Sequence, residues 1–497
     1  MTRISGHAGE DLVPSASFAP LSRSGVMLGL SGPQLGLVAV ALARPMWLLT
    51  VGKDLPGALW AVAWWTTPIA VVAVGSWGGR SFLERLTTVG LFMLRRAVRQ
   101  TSTVVKVNAA HVEGRITVPG AAGERLHSFA LFGVEYGQGA AFVWDAVAQT
   151  ATAALRFTTD AWDLADDQAK ASRAAAVSDL CSRLTTADGV QRVAVHARSY
   201  PGSGDRLPAP RISASTATGA LLAEDHAELL ATPAIGQVLH RDVVVTITVA
   251  ARAVARDVDA AGGGIAGVSH VVADRVQQVA AGLPTCGVRV EDATWMNEAQ
   301  LRGAIRLAYD PDAAPWLAAQ DWQLPPDALL AQVVTERLDH LVTDSAVHRC
   351  WWVERMPAQP ARAGFLAPLI SGGRIAHTVT QVWEAVDVHR AEKRLNNAEA
   401  SRATAEQVNE FLGRPTTTAH TAEGKELAKR RTELELGYGD VRYSAWITVH
   451  APSLDELDRS DLWVAAATPG MKVKLLRGDQ WAAFNTAVLP LGIGARA

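Results

Sequence analysis

From Val26 to Trp77 the chain carries charge only at Arg44, Lys53 and Asp54. An apolar run of that length has to be buried in a core or in lipid, and this constrains the fold more than any other feature. Its second half, Leu55 to Trp77, is uncharged. As a helix it can cross about 30 Å of hydrocarbon, which takes about 20 residues. The first half, Pro33 to Val51, is of comparable length but contains Arg44 followed by Pro45. The charge is costly in lipid, and the proline withdraws a helix hydrogen bond where hydrocarbon offers no replacement. Gly52, Lys53 and Asp54 leave room only for a tight turn, so the pattern predicts a transmembrane hairpin over residues 25–79 with both ends on one side. A buried hairpin in a soluble protein and a re-entrant first segment are the competing readings. A cleaved leader fits poorly, because the apolar run starts late and continues into a second segment.

The flanks set the orientation. Arg80, Arg85, Arg95, Arg96, Arg99 and Lys106 follow the second segment against a single Glu84, and Arg23 precedes the first. The positive-inside rule then puts both termini and the bulk of the chain in the cytoplasm, at the inner membrane. Tryptophan supports the reading. The 497 residues hold 16 Trp against 5 Tyr and 10 Phe, and Trp47, Trp60, Trp64, Trp65 and Trp77 cluster in this stretch. Indole rings favour the headgroup level, so these five, with Arg80 and Arg85, are the expected membrane anchor. Residues 81–99 read as an amphipathic helix on an anionic leaflet.

Elsewhere the composition is that of a globular protein. Lys plus Arg total 47 against 49 Asp plus Glu, with 19% charged and 49% hydrophobic residues, which argues against polycation-style or direct sequence-specific nucleic-acid binding. Cys181, Cys286 and Cys350 are far apart, without a CxxC, and read as isolated buried thiols.

Beyond residue 110 β-rich runs alternate with helix-period runs, predicting an α+β fold. The organisation expected is a tail (1–24), the hairpin (25–79), a basic amphipathic connector (80–110) and two α+β modules (111–295 and 296–497). A polar helical hairpin at 389–436 protrudes from the second. Strands are expected at 141–157, 190–198 and 243–250, and again at 350–353, 375–386, 441–450 and 472–476, with helices at 166–184, 216–231 and 453–466. The order strand, helix, strand recurs, which suggests two related modules.

The chain offers little chemistry. No GxxxxGK[ST] loop is present to cradle a nucleotide. Gly262, Gly264 and Gly267 match GxGxxG but follow a helical pattern, so they read as a link between helices. No HExxH, GxSxG or metal-type His pairing occurs. Asp310 and Asp312 form an Asp-Pro-Asp step that would suit a metal-dependent transferase, although a turn explains it better. Asp344, Ser345 and His348 lie close in sequence and read as a capped helix end leading into a strand. The expectation is therefore a protein with no catalytic residue, cofactor or metal.

Several segments carry a resemblance. Leu21–Leu37 (LSRSGVMLGLSGPQLGL), Asp344–Pro357 (DSAVHRCWWVERMP), Gly364–Ile370 (GFLAPLI), Tyr438–Leu457 (YGDVRYSAWITVHAPSLDEL) and Gly478–Gly492 (GDQWAAFNTAVLPLG) together resemble an actinobacterial membrane-protein family of conjugation and type IV-like secretion. In that family a PrgI-type membrane hairpin is fused to the N-terminal, ATPase-lacking region of TraC-type conjugative ATPases. The resemblance implies a non-enzymatic membrane scaffold. It would form oligomers with other secretion subunits and recruit a separate TraC-type ATPase, since the chain stops where a motor domain would begin. It also points to Trp351, Trp352, Phe365, Gln480 and Pro490 as docking residues. An EccE-like type VII secretion subunit, which also sets a hairpin before an α/β domain, is the alternative, and a membrane-anchored transferase using Asp310 and Asp312 a more distant one.

Overall fold

The computed structural model describes residues 15–16, 32–52, 55–77, 80–105, 114–120, 125–132, 139–158, 165–202, 239–288, 293–357, 361–362, 364–372, 375–386, 388–411, 424, 427–428, 431–432 and 440–494. The helix expected at 216–231 and most of the second arm of the 389–436 hairpin lie outside them. The chain forms two compact units. One comprises Met1–Phe18, Gln100–Ala385 and Val441–Ala497, the other Ala19–Arg99 and Val386–Asp440.

In the smaller unit α1 (Gly32–Thr50) runs unbroken through Pro45, and α2 (Leu55–Val74) follows after the turn. A π-helical turn at Val62–Thr66 lies inside α2, just before Pro68, whose missing N–H would interrupt a regular ladder. Of the two helices, α2 is long and apolar enough to cross a bilayer, while α1 falls in a shorter apolar class. A two-residue ribbon pairs Trp77 with Arg80 and leads into α3 (Phe82–Ala97), which ends on Arg95 and Arg96. Gly75 makes the elbow between α2 and α3. A Cβ there would come within 2.2 Å of the Val71 carbonyl and 2.5 Å of the Phe82 ring.

The larger unit is α+β, built on one large antiparallel sheet. Its first half runs β1 (Ser102–Val104), β2 (Leu126–Ala130), β3 (Ala141–Asp145), β4 (Thr150–Phe157), α4 (Asp167–Thr186), β5 (Val190–Pro201), β6 (Leu239–Ala250), α5 (Ala255–Ala260), α6 (Gly264–Gly282), β7 (Thr294–Trp295) and α7 (Glu298–Tyr309). Then come α8 (Ala314–Ala319), β8 (Val333–Glu336), β9 (Leu341–Val342), β10 (Val347–Arg355), α9 (Ala367–Ile370) and β11 (Ala376–Val386). After α10 (Val388–Phe411), which belongs to the smaller unit, the sheet resumes with β12 (Asp440–Ala451), α11 (Leu454–Ala467), β13 (Lys472–Leu475) and α12 (Gln480–Ala487).

The strands lie in the order β1-β8-β9-β10-β12-β11-β5-β6-β4-β3-β2, with β7 on β4 and β13 on β10. Each half follows one plan. A hairpin leads to a strand (β4, β10), a helix leads to the next (β5, β11), and a third strand (β6, β12) inserts between them. A further helical segment then returns a short strand (β7, β13) to the outer edge of the first. The halves meet where β11 runs antiparallel to β5, pairing Thr380 with His196 and Glu384 with Arg192.

Side-chain alternation splits the core between the two faces. On one face Val244, Cys350, Val382 and Trp446 join α7, α8 and α12 in a cluster common to both halves. On the other, Val245, Ile247 and Val249 pack against α6, while Trp351, Ile447 and Val449 pack against α11.

Candidate functional site

The residues buried in the α1/α2 hairpin are small and its largest side chains are exposed, with Ala39, Ala43 and Ala63 exposed as well. Ala41, Ala58, Ala61 and Ala73 are buried, whereas Met46, Trp47, Leu55, Leu59, Trp60 and Trp64 are each more than half exposed. In water that distribution would be costly, at about 25 cal/mol per Å² of apolar surface. In lipid it is the usual one, because small residues let helices approach and polar groups bond across the seam. Such bonds are present. Gln34 Nε2 donates to the Ala73 carbonyl at 2.8 Å, Trp65 Nε1 to Val40 at 3.3 Å and Thr66 Oγ1 to Ala41 at 2.8 Å.

The Thr66 bond resolves the objection raised by Pro45. In an α-helix the Ala41 carbonyl accepts from residue 45, and proline has no N–H to give. Thr66 supplies the replacement from the neighbouring helix, so α1 passes through Pro45 without a break. Arg44 is exposed, with its guanidinium 5.5 Å from the Trp65 ring centroid.

Among the sequence-predicted anchors, Trp60 stacks on Trp64 at 6.4 Å, and Trp47, Trp60 and Trp64 face outward. Trp65 turns partly inward through its bond to Val40. Trp77 and Arg80 form the ribbon between α2 and α3, and Arg85 is half-buried on α3. On α3, Phe92 is buried while Leu86, Leu91, Met93 and Leu94 are exposed, leaving an apolar face open beside the terminal arginines.

The chemical candidates are occupied internally. Arg306 bonds both Asp344, at 2.7 Å, and Asp310, and the Ser345 hydroxyl donates to Asp310. Asp344 also accepts from the Gln332 and Val333 amides. Asp310 and Ser345, separate in sequence, therefore belong to one arginine clamp, while Asp312 is exposed. Ser345 and His348 do not bond each other. Gly262, Gly263 and Gly264 all have positive φ. The amides of the first two donate to Asp259 and Val258, closing the turn between α5 and α6. Gly267 lets α6 approach α5, since a Cβ would meet the Val258 carbonyl at 2.2 Å. No His/Cys/Asp/Glu group suited to a metal occurs among the described residues. Cys350 is buried with its thiol pushed up to about 12 by burial, Cys286 is only half-buried, and Cys181 lies in α4.

Two polar networks escaped the sequence reading. In the first, Thr378, His450, His348 and Thr343 form a chain ending on the Tyr309 carbonyl, and its proton positions follow from that end. Thr343 Oγ1 donates to Tyr309 at 2.6 Å, so it accepts from His348 Nε2 at 2.7 Å. His348 Nδ1 is then an acceptor, and His450 Nδ1 donates to it at 2.7 Å. His450 Nε2 is left to accept from Thr378 at 3.0 Å. Both rings are neutral. Burial, and for each the proximity of another histidine, lowers His450 to about 3 and His348 well below 6.5.

In the second, Asp242 accepts from Arg198 through two bonds at 2.7 and 2.8 Å and from Arg156 at 2.7 Å. Burial alone would raise the carboxyl, but the Arg198 and Arg156 charges outweigh it and hold the pKa below the ordinary value. Arg156 also lies 4.1 Å over the Trp322 ring.

The residues expected to dock a partner sit mostly inside the fold. Gln480 is fully buried: its side chain accepts from the Cys350 amide at 2.8 Å and donates to the Leu476 carbonyl at 2.6 Å. Trp351 and Pro490 are buried, while Trp352 and Phe365 are half-buried. The end of α12 and the segment after it are inlaid on the sheet, with His196 and Thr380 donating to the Ala487 carbonyl and Arg192 to that of Gly492. Comparison with protein-family models finds no match, and neither does comparison with curated proteins.

Proposed function

We propose that the chain is a non-enzymatic scaffold of the inner membrane. It docks a separate TraC-type ATPase within a conjugative DNA-transfer or type IV-like secretion apparatus. The inverted hairpin carries this reading: its exterior is apolar and its interior is small and hydrogen-bonded, the arrangement lipid favours. In this account α1 and α2 both span, the turn at 51–54 faces away from the cytoplasm, and α3 lies along the cytoplasmic leaflet with Arg95 and Arg96 toward its lipids. The inward use of Asp310, Asp344, Ser345 and the glycine turn supports a scaffold over a membrane-anchored transferase. The ATPase and the family role rest on the sequence resemblance.

Detergent extraction followed by pull-down is the test. Membranes washed with high salt or alkaline carbonate should retain the chain, and an ATPase encoded as a separate polypeptide should copurify after detergent extraction. Release by salt would overturn the hairpin reading, and purification without any ATPase under crosslinking would overturn the docking role.

A further inference from the structure

Arg44 is the one charge within α1 and α2. Among the described residues it has no carboxylate partner, and it lies over an indole. The Trp65 indole beneath it is pinned by the bond from Nε1 to the Val40 carbonyl, and the adjacent Thr66 hydroxyl is committed to Ala41. A guanidinium 5.5 Å from the ring centroid is within cation–π range. Two helices thus hold a cationic group on an outward surface.

Depth gives that surface its meaning. Arg44 precedes the end of α1 at Thr50 by six positions, about 9 Å at a rise of about 1.5 Å per residue. A half-bilayer of hydrocarbon is about 15 Å thick, so the long arginine stem can carry the guanidinium to the headgroups at the turn end. Trp47, Trp60 and Trp64 are exposed on the same half of the hairpin, as an interfacial aromatic belt requires.

We propose that Arg44, seated on Trp65, binds the phosphodiester of a phospholipid in the leaflet at the turn end of the hairpin. Arginine suits this ligand because its planar fork meets two phosphate oxygens at once and is weakly hydrated. A carboxylate on a partner's membrane helix is the competing ligand. It is disfavoured by the surroundings, since close helix approach needs small residues. Ala41, Ala58, Ala61 and Ala73 face the α1/α2 seam; Ala39, Ala43 and Ala63 are exposed, but the exposed neighbours one turn from Arg44 on its own helix are Val40 and Trp47, whose bulk holds a second helix away from the guanidinium. The proposal rests on the hairpin spanning the bilayer.

The experiment uses the full chain, purified in mild detergent, delipidated and titrated with phosphatidylglycerol or with a neutral diacyl glycolipid of matched chains, with native mass spectrometry counting bound lipid. Wild type should bind phosphatidylglycerol at least tenfold tighter than the glycolipid, and inorganic phosphate should not compete. Arg44→Gln should hold one phosphatidylglycerol fewer than wild type, the lipids at Arg95 and Arg96 being retained, while Arg44→Lys should keep the lost lipid in part. An equal count of bound phosphatidylglycerol in wild type and Arg44→Gln, with the chain still resistant to carbonate extraction, would overturn the lipid site and leave the membrane reading standing. Loss of a copurifying subunit in Arg44→Gln with lipid binding unchanged would assign the charge to a partner and overturn the proposal. Release of wild type by carbonate would overturn both.

Discussion

The His348–His450 pair makes the larger unit sensitive to mild acid, by an amount the structure allows to be worked out. Both rings are neutral in the fold, His450 titrating near 3 and His348 well below 6.5. In the unfolded chain each titrates near 6.5, so below that pH the unfolded state binds more protons. Because the folded pKa values are depressed, the stabilising contribution is complete above 6.5 and is lost as pH falls from there toward the folded values. At pH 5 the loss is about 2 kcal/mol for His450, and His348, lowered in the same direction, adds to it. His196, lowered to about 4 by burial, adds about 2 kcal/mol in the same window. About 4 kcal/mol from His450 and His196 alone is a large share of the roughly 5–15 kcal/mol by which domains are typically stable. Asp242 acts in a separate window. Its folded pKa is depressed below 3.8, so its contribution persists through pH 5 and is lost only at stronger acid. Urea denaturation of the detergent-purified chain, followed by Trp fluorescence between pH 8 and pH 5, should show a steep loss of stability below pH 6.5. His348→Gln with His450→Gln should lower stability at pH 8 but flatten that slope, His196 and His377 supplying what remains. A wild-type midpoint independent of pH over this range, or a slope unchanged in the double variant, would refute the assignment of two neutral rings.

Other substitutions probe the remaining networks. Asp242→Asn leaves Arg156 and Arg198 facing each other without a carboxylate and should cost about 3–5 kcal/mol, read as a fall in thermal midpoint. Thr66→Val keeps the shape of the seam but orphans the Ala41 carbonyl, at about 1–3 kcal/mol. Hydrogen exchange over residues 32–50 should accelerate in this variant. Gly75→Val drives side-chain carbon into the Val71 carbonyl and the Phe82 ring, and should reduce the amount of chain recovered in membranes. Asp312→Ala should leave stability and secretion unchanged because Asp312 is exposed. Asp310→Asn, which weakens the Arg306 clamp, should cost about 1–3 kcal/mol by the same denaturation assay.

The fold was legible wherever the signal was local. The run VVVTITVA marks β6, and VRYSAWITVH marks β12, because β-branched and aromatic residues on alternating buried faces specify strands within a few residues. The α+β class follows from the alternation of such runs with helical ones, and the recurrence of strand, helix, strand is visible in the element order on either side of the β5/β11 seam. What sequence reasoning missed depends on register between distant segments. His348 and His450 are 102 positions apart and become partners only because β10 and β12 align them. Asp310 meets Ser345 for a similar reason, across 35 positions. Gln480 looked like a docking residue in a terminal helix, whereas its amide is the internal partner of the Cys350 backbone. At Pro45 the structure adds a contact that the sequence could not show. The rule that proline interrupts a helix in lipid is sound, but it could not reveal that Thr66 stands across the seam to take the freed carbonyl.

The account turns on where the tip of the hairpin lies. A single cysteine placed there by Gly52→Cys can be labelled in intact cells with a membrane-impermeant maleimide. A two-span hairpin with its flanks inside predicts rapid labelling of Gly52→Cys and none of the wild-type chain, whose own thiols stay on the cytoplasmic side. Labelling of Gly52→Cys only after the cells are lysed would place the turn in the cytoplasm and contradict the membrane scaffold at its foundation.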